Sequence, residues 1–138
     1  MKKLTLGKLK AKCQALFNEK IRLRDSFGNI FFCISCNEKK DIRYLQAGHF
    51  YNVGHYDGLR FDEDNCHGQC NYCNTFLHGN LIQYRDNLLK RIGETRFFEL
   101  QDRADQYKKN GYKFSRSEII EKISQLQSDI SNLKTTEK

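Results

Sequence analysis

Apolar residues recur at helical spacing over residues 4–25 of the 138-residue chain. Leu6, Leu9, Cys13, Leu16, Phe17 and Leu23 fall on one side, with Lys8, Lys12 and Arg22 opposite them. That spacing predicts an amphipathic first helix. The pattern then changes. "SFGNIFFCISC" carries a Gly-Asn turn signal and a short β-rich run ending in Cys-x2-Cys, "RYLQAGHFY" reads as a second strand, and "NVGHYDGLRFDEDN" reads as a polar loop. A helix is expected from Tyr72, interrupted near Gly79-Asn80 and resumed through "LIQYRDNLLKRI"; from Glu94 onward the chain reads as entirely helical. There, Ser115 and Glu118 form a capping-box pattern, and Ile119, Ile123, Leu126, Ile130 and Leu133 alternate steps of four and three. The chain contains no proline, so none of these helices is forced to kink.

Composition narrows the class. The length suits one domain, and at 38% hydrophobic the chain can build only a modest core that a metal clamp would help to hold. No apolar run is long enough to span a bilayer, and lysines break up the apolar residues of the N-terminus, so no secretory signal is expected. A cytoplasmic setting follows as the expectation (a host-cell cytoplasm if a phage encodes the chain). Thiols stay reduced there, and six cysteines are too few for a disulfide scaffold, so metal binding is the better reading. The net charge of +7 is concentrated in residues 1–24, where Lys2, Lys3, Lys8, Lys10, Lys12, Lys20, Arg22 and Arg24 face Glu19 alone. Such an arm on a neutral body suits nucleic-acid phosphates, and Lys8, Lys12 and Arg22 are the expected DNA contacts.

Cys33-x2-Cys36 and Cys70-x2-Cys73 are two pairs separated by 33 residues. Each turn can present two thiolates to one zinc ion, and two turns close a tetrahedron, which leaves no position for substrate and makes the site structural. Cys66 is an alternative to Cys70 with a less natural spacing, and Cys13, on the apolar stripe, reads as a small hydrophobe. Between and after the pairs come His49, at the end of a strand, Asn65, closing the polar loop, and Asn74, directly after the last cysteine. Singly, each has an ordinary structural explanation. Their order does not.

The order resembles the HNH endonuclease arrangement, in which a ββα-metal hairpin and helix are held by a treble-clef zinc. More closely, "FCISC", "LQAGHF", "RFDEDNCHGQCNYCN" and "GNLIQYR" resemble the phage NinG/Rap recombination endonuclease family, over roughly residues 8 to 100. The resemblance implies that His49 activates water, that Asn65 orients the imidazole through its carbonyl oxygen, and that Asn74 holds a catalytic Mg2+ or Mn2+ ion. Many HNH proteins carry aspartate directly before the histidine as a second ligand to that ion; here the residue is Gly48. His78, four residues after Asn74, and His67 are the candidates to replace it, with Asp62 and Asp64 as further ones. His55, in a glycine-flanked loop, is expected to be exposed.

The expected fold is therefore α+β, a small ββα-metal core with helices before and after: a basic N-terminal helix (1–27), a zinc-bearing core (28–92) and a helical C-terminal extension (93–138). The implied function is metal-dependent cleavage of branched recombination intermediates such as Holliday junctions. The alternatives are a nickase of ordinary DNA and a non-catalytic zinc-stabilised DNA-binding module. Symmetric junction cleavage needs two active sites, which makes a homodimer attractive. The heptad-like last helix could pair with a second copy or bury itself against its own domain.

Overall fold

The computed structural model describes residues 3–136; Lys2 of the basic arm lies outside them. The first helix, α1 (Leu6–Asp25), starts at Thr5, whose hydroxyl accepts the Lys8 N–H at 3.2 Å. Its buried face is Leu9, Cys13, Phe17 and Ile21. This corrects the sequence reading: Leu6 is exposed, Leu16 and Leu23 sit at the margin, and Ile21 belongs to the stripe. Strict i, i+4 spacing gives a narrow seam.

Two small antiparallel sheets follow. β1 (Ser26–Phe27), β2 (Ile30–Phe32) and β3 (Lys39–Asp41) form the first, with Phe27 opposite Ile30 across a two-residue turn. That turn needs positive φ, which Gly28 supplies at +60°. The second sheet pairs β4 (Leu45–His49) with β5 (Cys66–Cys70), Leu45 opposite Cys70 and His49 opposite Cys66. The expected strand at 43–51 is thus trimmed at both ends. β5 carries no β-branched residue and was not legible as a strand; all five of its residues are buried, so packing and cross-strand pairing set its conformation.

After β5 a single wide π-type turn, Tyr72–Phe76, leads into three successive left-handed residues, His78, Gly79 and Asn80. α2 (Leu81–Asn110) then runs with one break at Gly93 (φ 84°) and ends at Gly111, whose N–H reaches the Tyr107 carbonyl at 2.8 Å. Residues 111–115 are not helical, which corrects the expectation of unbroken helix from Glu94. The expected capping box does restart it. Ser115 Oγ accepts the Glu118 N–H at 3.2 Å and Glu118 accepts the Ser115 N–H at 3.0 Å, opening α3 (Arg116–Thr136).

α3 packs along α1 in the same direction: Arg116 donates to the Leu4 carbonyl, and Lys134 pairs with Glu19. Ile119, Ile123 and Leu126 fill one core with Leu9, Cys13, Phe17, Ile21, Phe61 and Cys66. The heptad-like stripe is therefore spent inside its own chain. α2 builds a second core from Tyr84, Leu88, Ile92, Phe97, Leu100 and Ala104 around Ile34 and Leu59. A third cluster, Phe31, Cys33, Leu45, Cys70 and Cys73, lies where the two sheets meet.

Candidate metal centre and active-site pocket

Cys33, Cys36, Cys70 and Cys73 converge so that their sulfur atoms all lie within 4.8 Å of one another. Four thiolates on one zinc ion at about 2.3 Å would stand about 3.8 Å apart, so the cluster needs little adjustment to close on the metal. Backbone amides are already aimed at the sulfurs: Ser35 and Cys70 N–H groups reach Cys33 Sγ at 3.4 and 3.3 Å, and the Cys73 N–H reaches Cys70 Sγ at 3.4 Å. Burial opposes a charged Cys33, but the N–H groups of Cys70, Cys36 and Ser35 outweigh it and bring its pKa below the usual thiol value. Cys36 is pushed up to about 12, by burial and by the neighbouring Cys33. Four thiols this close cannot all ionise without a cation, and a thiolate-binding divalent ion removes that conflict. Cys66 is no alternative ligand: it is fully buried with Phe17 and Phe61, and burial raises its pKa. Cys13 is in the same core, as its stripe position implied.

One turn beyond this cluster, His49, Asn74 and His78 line a single open depression of about 420 Å³, together with Ala47, Phe50 and Leu81. His49 ends β4 with its ring stacked on Phe17, centroids 6.3 Å apart. Its Nε2 lies 3.0 Å from the Arg60 carbonyl. A carbonyl can only accept, so Nε2 carries the proton and Nδ1 keeps its lone pair. Burial, the largest influence, lowers the His49 pKa, so the ring is neutral at pH 7. Asn74 gives its amide nitrogen to Gln46 Oε1 at 2.8 Å, which leaves its own oxygen for a cation. His78 is exposed and holds a φ of 50°, an uncommon conformation for a non-glycine residue and one often found at functional sites.

Other expected contacts are not made. Asn65 does not hydrogen-bond to His49. Its oxygen accepts the Tyr51 N–H at 2.7 Å and its nitrogen donates to the Tyr51 and Leu59 carbonyls at 3.1 and 3.3 Å, so it braces the loop that brings Arg60 to the histidine. His67 is not at the pocket either. It is 3% exposed, with Nδ1 3.5 Å from the Tyr84 hydroxyl, and burial lowers its pKa to about 3. It is a core histidine. Asp62 is held by Arg103 at 2.8 Å and Asp64 by Arg96, so both act as loop clips and neither faces the pocket. His55 is exposed, as expected.

Three of the eight basic residues of the arm are consumed internally. Lys10 pairs with Asp57 at 2.8 Å, Lys20 with Asp129 at 2.8 Å, and Arg24 donates to the Cys66 carbonyl at 2.7 Å. Lys8, Lys12 and Arg22 stay exposed, without an ion pair among the described residues. Sequence reasoning missed the Arg60 carbonyl, Gln46 and Tyr84, whose hydroxyl donates to the Gly48 carbonyl at 2.7 Å. No residue-type signal points to a backbone partner.

The sequence model of the family described as Bacteriophage Lambda NinG protein matches residues 2–137. The chain belongs to the NinG family. Among NinG relatives, it is 37% identical over 76 residues to Protein ninG of Escherichia phage 933W, covering 55% of this chain and 37% of that protein. It is 36% identical over 76 residues to Protein ninG of Escherichia phage lambda, with the same shares covered, and 44% identical over 61 residues to that of Salmonella phage P22, covering 44% of this chain and 30% of the relative. The matched stretch thus spans only 30% to 37% of these NinG proteins' own length. No solved structure matches the chain. No helix among the described residues is long and apolar enough to cross a membrane.

Proposed function

We propose that this NinG-family chain is an HNH-type, metal-dependent DNA endonuclease whose β4–β5 hairpin and following turn form a ββα-metal site clamped by a structural treble-clef zinc. The observation that carries the reading is the pocket that His49, with Nε2 committed to the Arg60 carbonyl, lines together with Asn74 and His78. Asn74 Oδ1 is an oxygen donor of the kind that Mg2+ and Mn2+ take, a His78 ring nitrogen could join it, and such an ion would stabilise charge on the scissile phosphate and the departing oxygen. Nδ1 of His49 takes the proton of the attacking water as its oxygen bonds to phosphorus. The P–O3′ bond breaks, and the 3′ oxygen leaves with that bonding pair. Arg60's carbonyl holds the ring in the required tautomer throughout. Asn65 acts one step back, by fixing the loop.

Lys8, Lys12 and Arg22 offer charge to backbone phosphates, which positions DNA without reading its sequence. Branched DNA is the substrate suggested by the resemblance to recombination nucleases. A homodimer would let two sites cut a junction symmetrically, and it would pair through a surface other than the α3 stripe, which is already buried. The test is Mg2+-dependent cleavage of four-way junction, flap and linear duplex by purified protein. His49→Ala should keep its zinc, fold and DNA affinity while losing about 10²–10⁴-fold in rate. Normal cleavage by His49→Ala would overturn the mechanism, and no cleavage by the wild type would leave a zinc-stabilised DNA-binding module.

A further inference from the structure

Gln69, in the middle of β5, is fully buried, and its Oε1 is the buried side-chain polar atom that finds no partner among the described residues. The amide cannot simply be turned over. Nε2 donates to the Gly79 carbonyl at 2.6 Å and to Ser35 Oγ at 2.8 Å, and exchanging the two atoms would set oxygen against oxygen. Buried acceptors are satisfied as a rule, and an exception calls for a water, an ion or a functional role.

The surroundings of this atom suggest which. A Cβ built on Gly48 would lie 2.0 Å from Oε1, so the amide oxygen occupies the place where a side chain at position 48 would begin. Gln69 is paired across the hairpin with Gln46, which holds Asn74. Its nitrogen holds Gly79, the residue after His78. Gly48 itself precedes His49. Each of these contacts is therefore one residue or one hydrogen bond away from a side chain lining the pocket.

From this convergence we infer that Gln69 Oε1 is an oxygen ligand of the divalent ion proposed above, supplied from β5 in place of a side chain that Gly48 does not have. The inference rests on that ion site being real. An amide oxygen is a hard, neutral donor, the class that Mg2+ and Mn2+ accept alongside water and phosphate oxygens. It leaves the site less negative than a carboxylate would, so the substrate phosphate contributes a larger share of the charge around the ion.

Mn2+ binding to the zinc-loaded full chain, followed by electron paramagnetic resonance without DNA, tests this apart from activity. Gln69→Met keeps the length of the side chain and removes the oxygen; it should weaken Mn2+ binding by about tenfold or more. Ser35→Ala loosens the Gly79 carbonyl but keeps Oε1, and should bind Mn2+ within a few-fold of wild type. Equal losses in the two variants would make Gln69 a brace and overturn the assignment, as would unchanged binding by Gln69→Met with zinc retained. Should Gln69→Met fail to fold, nuclear magnetic resonance of the wild type decides. Saturating Mg2+, which is diamagnetic, should shift the side-chain carbonyl 13C signals of Gln69 and Asn74 together. A shifted Asn74 signal with an unmoved Gln69 signal removes the ligand but keeps the ion site, whereas no shift of either removes both.

Discussion

The four-cysteine cluster and the His49 pocket are built on adjacent residues, yet they are opposite kinds of site. Cys73 closes the first and Asn74 opens the second. In the cluster, four identical soft donors, all but Cys36 buried, would saturate one zinc ion, so the centre would hold the fold and leave no position for a substrate. In the pocket, nitrogen and oxygen donors are open to solvent, and their geometry is set by groups standing behind them: the Arg60 carbonyl, Gln46 and the buried hydroxyl of Tyr84. A closed site is specified by its ligands. An open one is specified by what stands behind them.

The contrast breaks most sharply at the cysteines. Cys33→Ser or Cys70→Ser should unfold or aggregate the protein, since structural zinc contributes on the order of 10 kcal/mol to folding. Circular dichroism and zinc content would check it, with Cys13→Ser expected to fold with a modest penalty. In the pocket, substitution should leave the fold alone. Asn74→Ala and His78→Ala should keep zinc and lose about 10–100-fold in metal affinity, with cleavage partly restored at high Mn2+. His67→Ala should show no metal rescue and should instead lower the melting temperature, because it empties a core position.

Acid separates the regions in another way. The pKa of His49 is lowered by burial, so cleavage should hold from pH 8 to below the ordinary histidine value of 6.5 and fall only as the ring takes a proton. The stability linkage has the same sign for His67. The unfolded chain binds a proton near 6.5 and the native one near 3, so stability is fully present above 6.5 and drains away as pH falls toward 3. The slope is about 1.4 kcal/mol per pH unit. Urea midpoints at pH 7 and 5 should diverge for the wild type and less so for His67→Phe, both kept zinc-loaded. The smallest effect is expected at the arm. Alanine at Lys8, Lys12 and Arg22 should flatten the dependence of log K on log salt by about one unit per lost phosphate contact, and an unchanged slope would return these residues to a solvated helix face.

What could be read in advance follows from the same contrast. Paired Cys-x2-Cys turns declare their purpose through spacing, and the Ser115–Glu118 box declares a helix start, because both are local. The order of His49 and Asn74 in the chain pointed to the pair that the structure brings to one pocket. His67 was misread as a possible ligand because a histidine's burial is decided by the strand beneath it, and "CHGQC" gives no sign of being a strand. Asn65 was assigned the wrong partner for a related reason: any carbonyl oxygen can hold an imidazole N–H, and the loop brings one from the backbone of Arg60.

Besides the Asn65 amide and the buried Leu59 and Phe61, that loop is fastened by charge. Lys10 and Arg60 grip Asp57, Arg103 grips Asp62, and Arg96 grips Asp64, all at partly exposed positions where dissolved ions can screen them. The carbonyl that sets the tautomer of His49 is carried on this segment. On the proposed mechanism, ionic strength should therefore act on the turnover of DNA already bound, by loosening the fastening of His49, as well as on how much DNA binds.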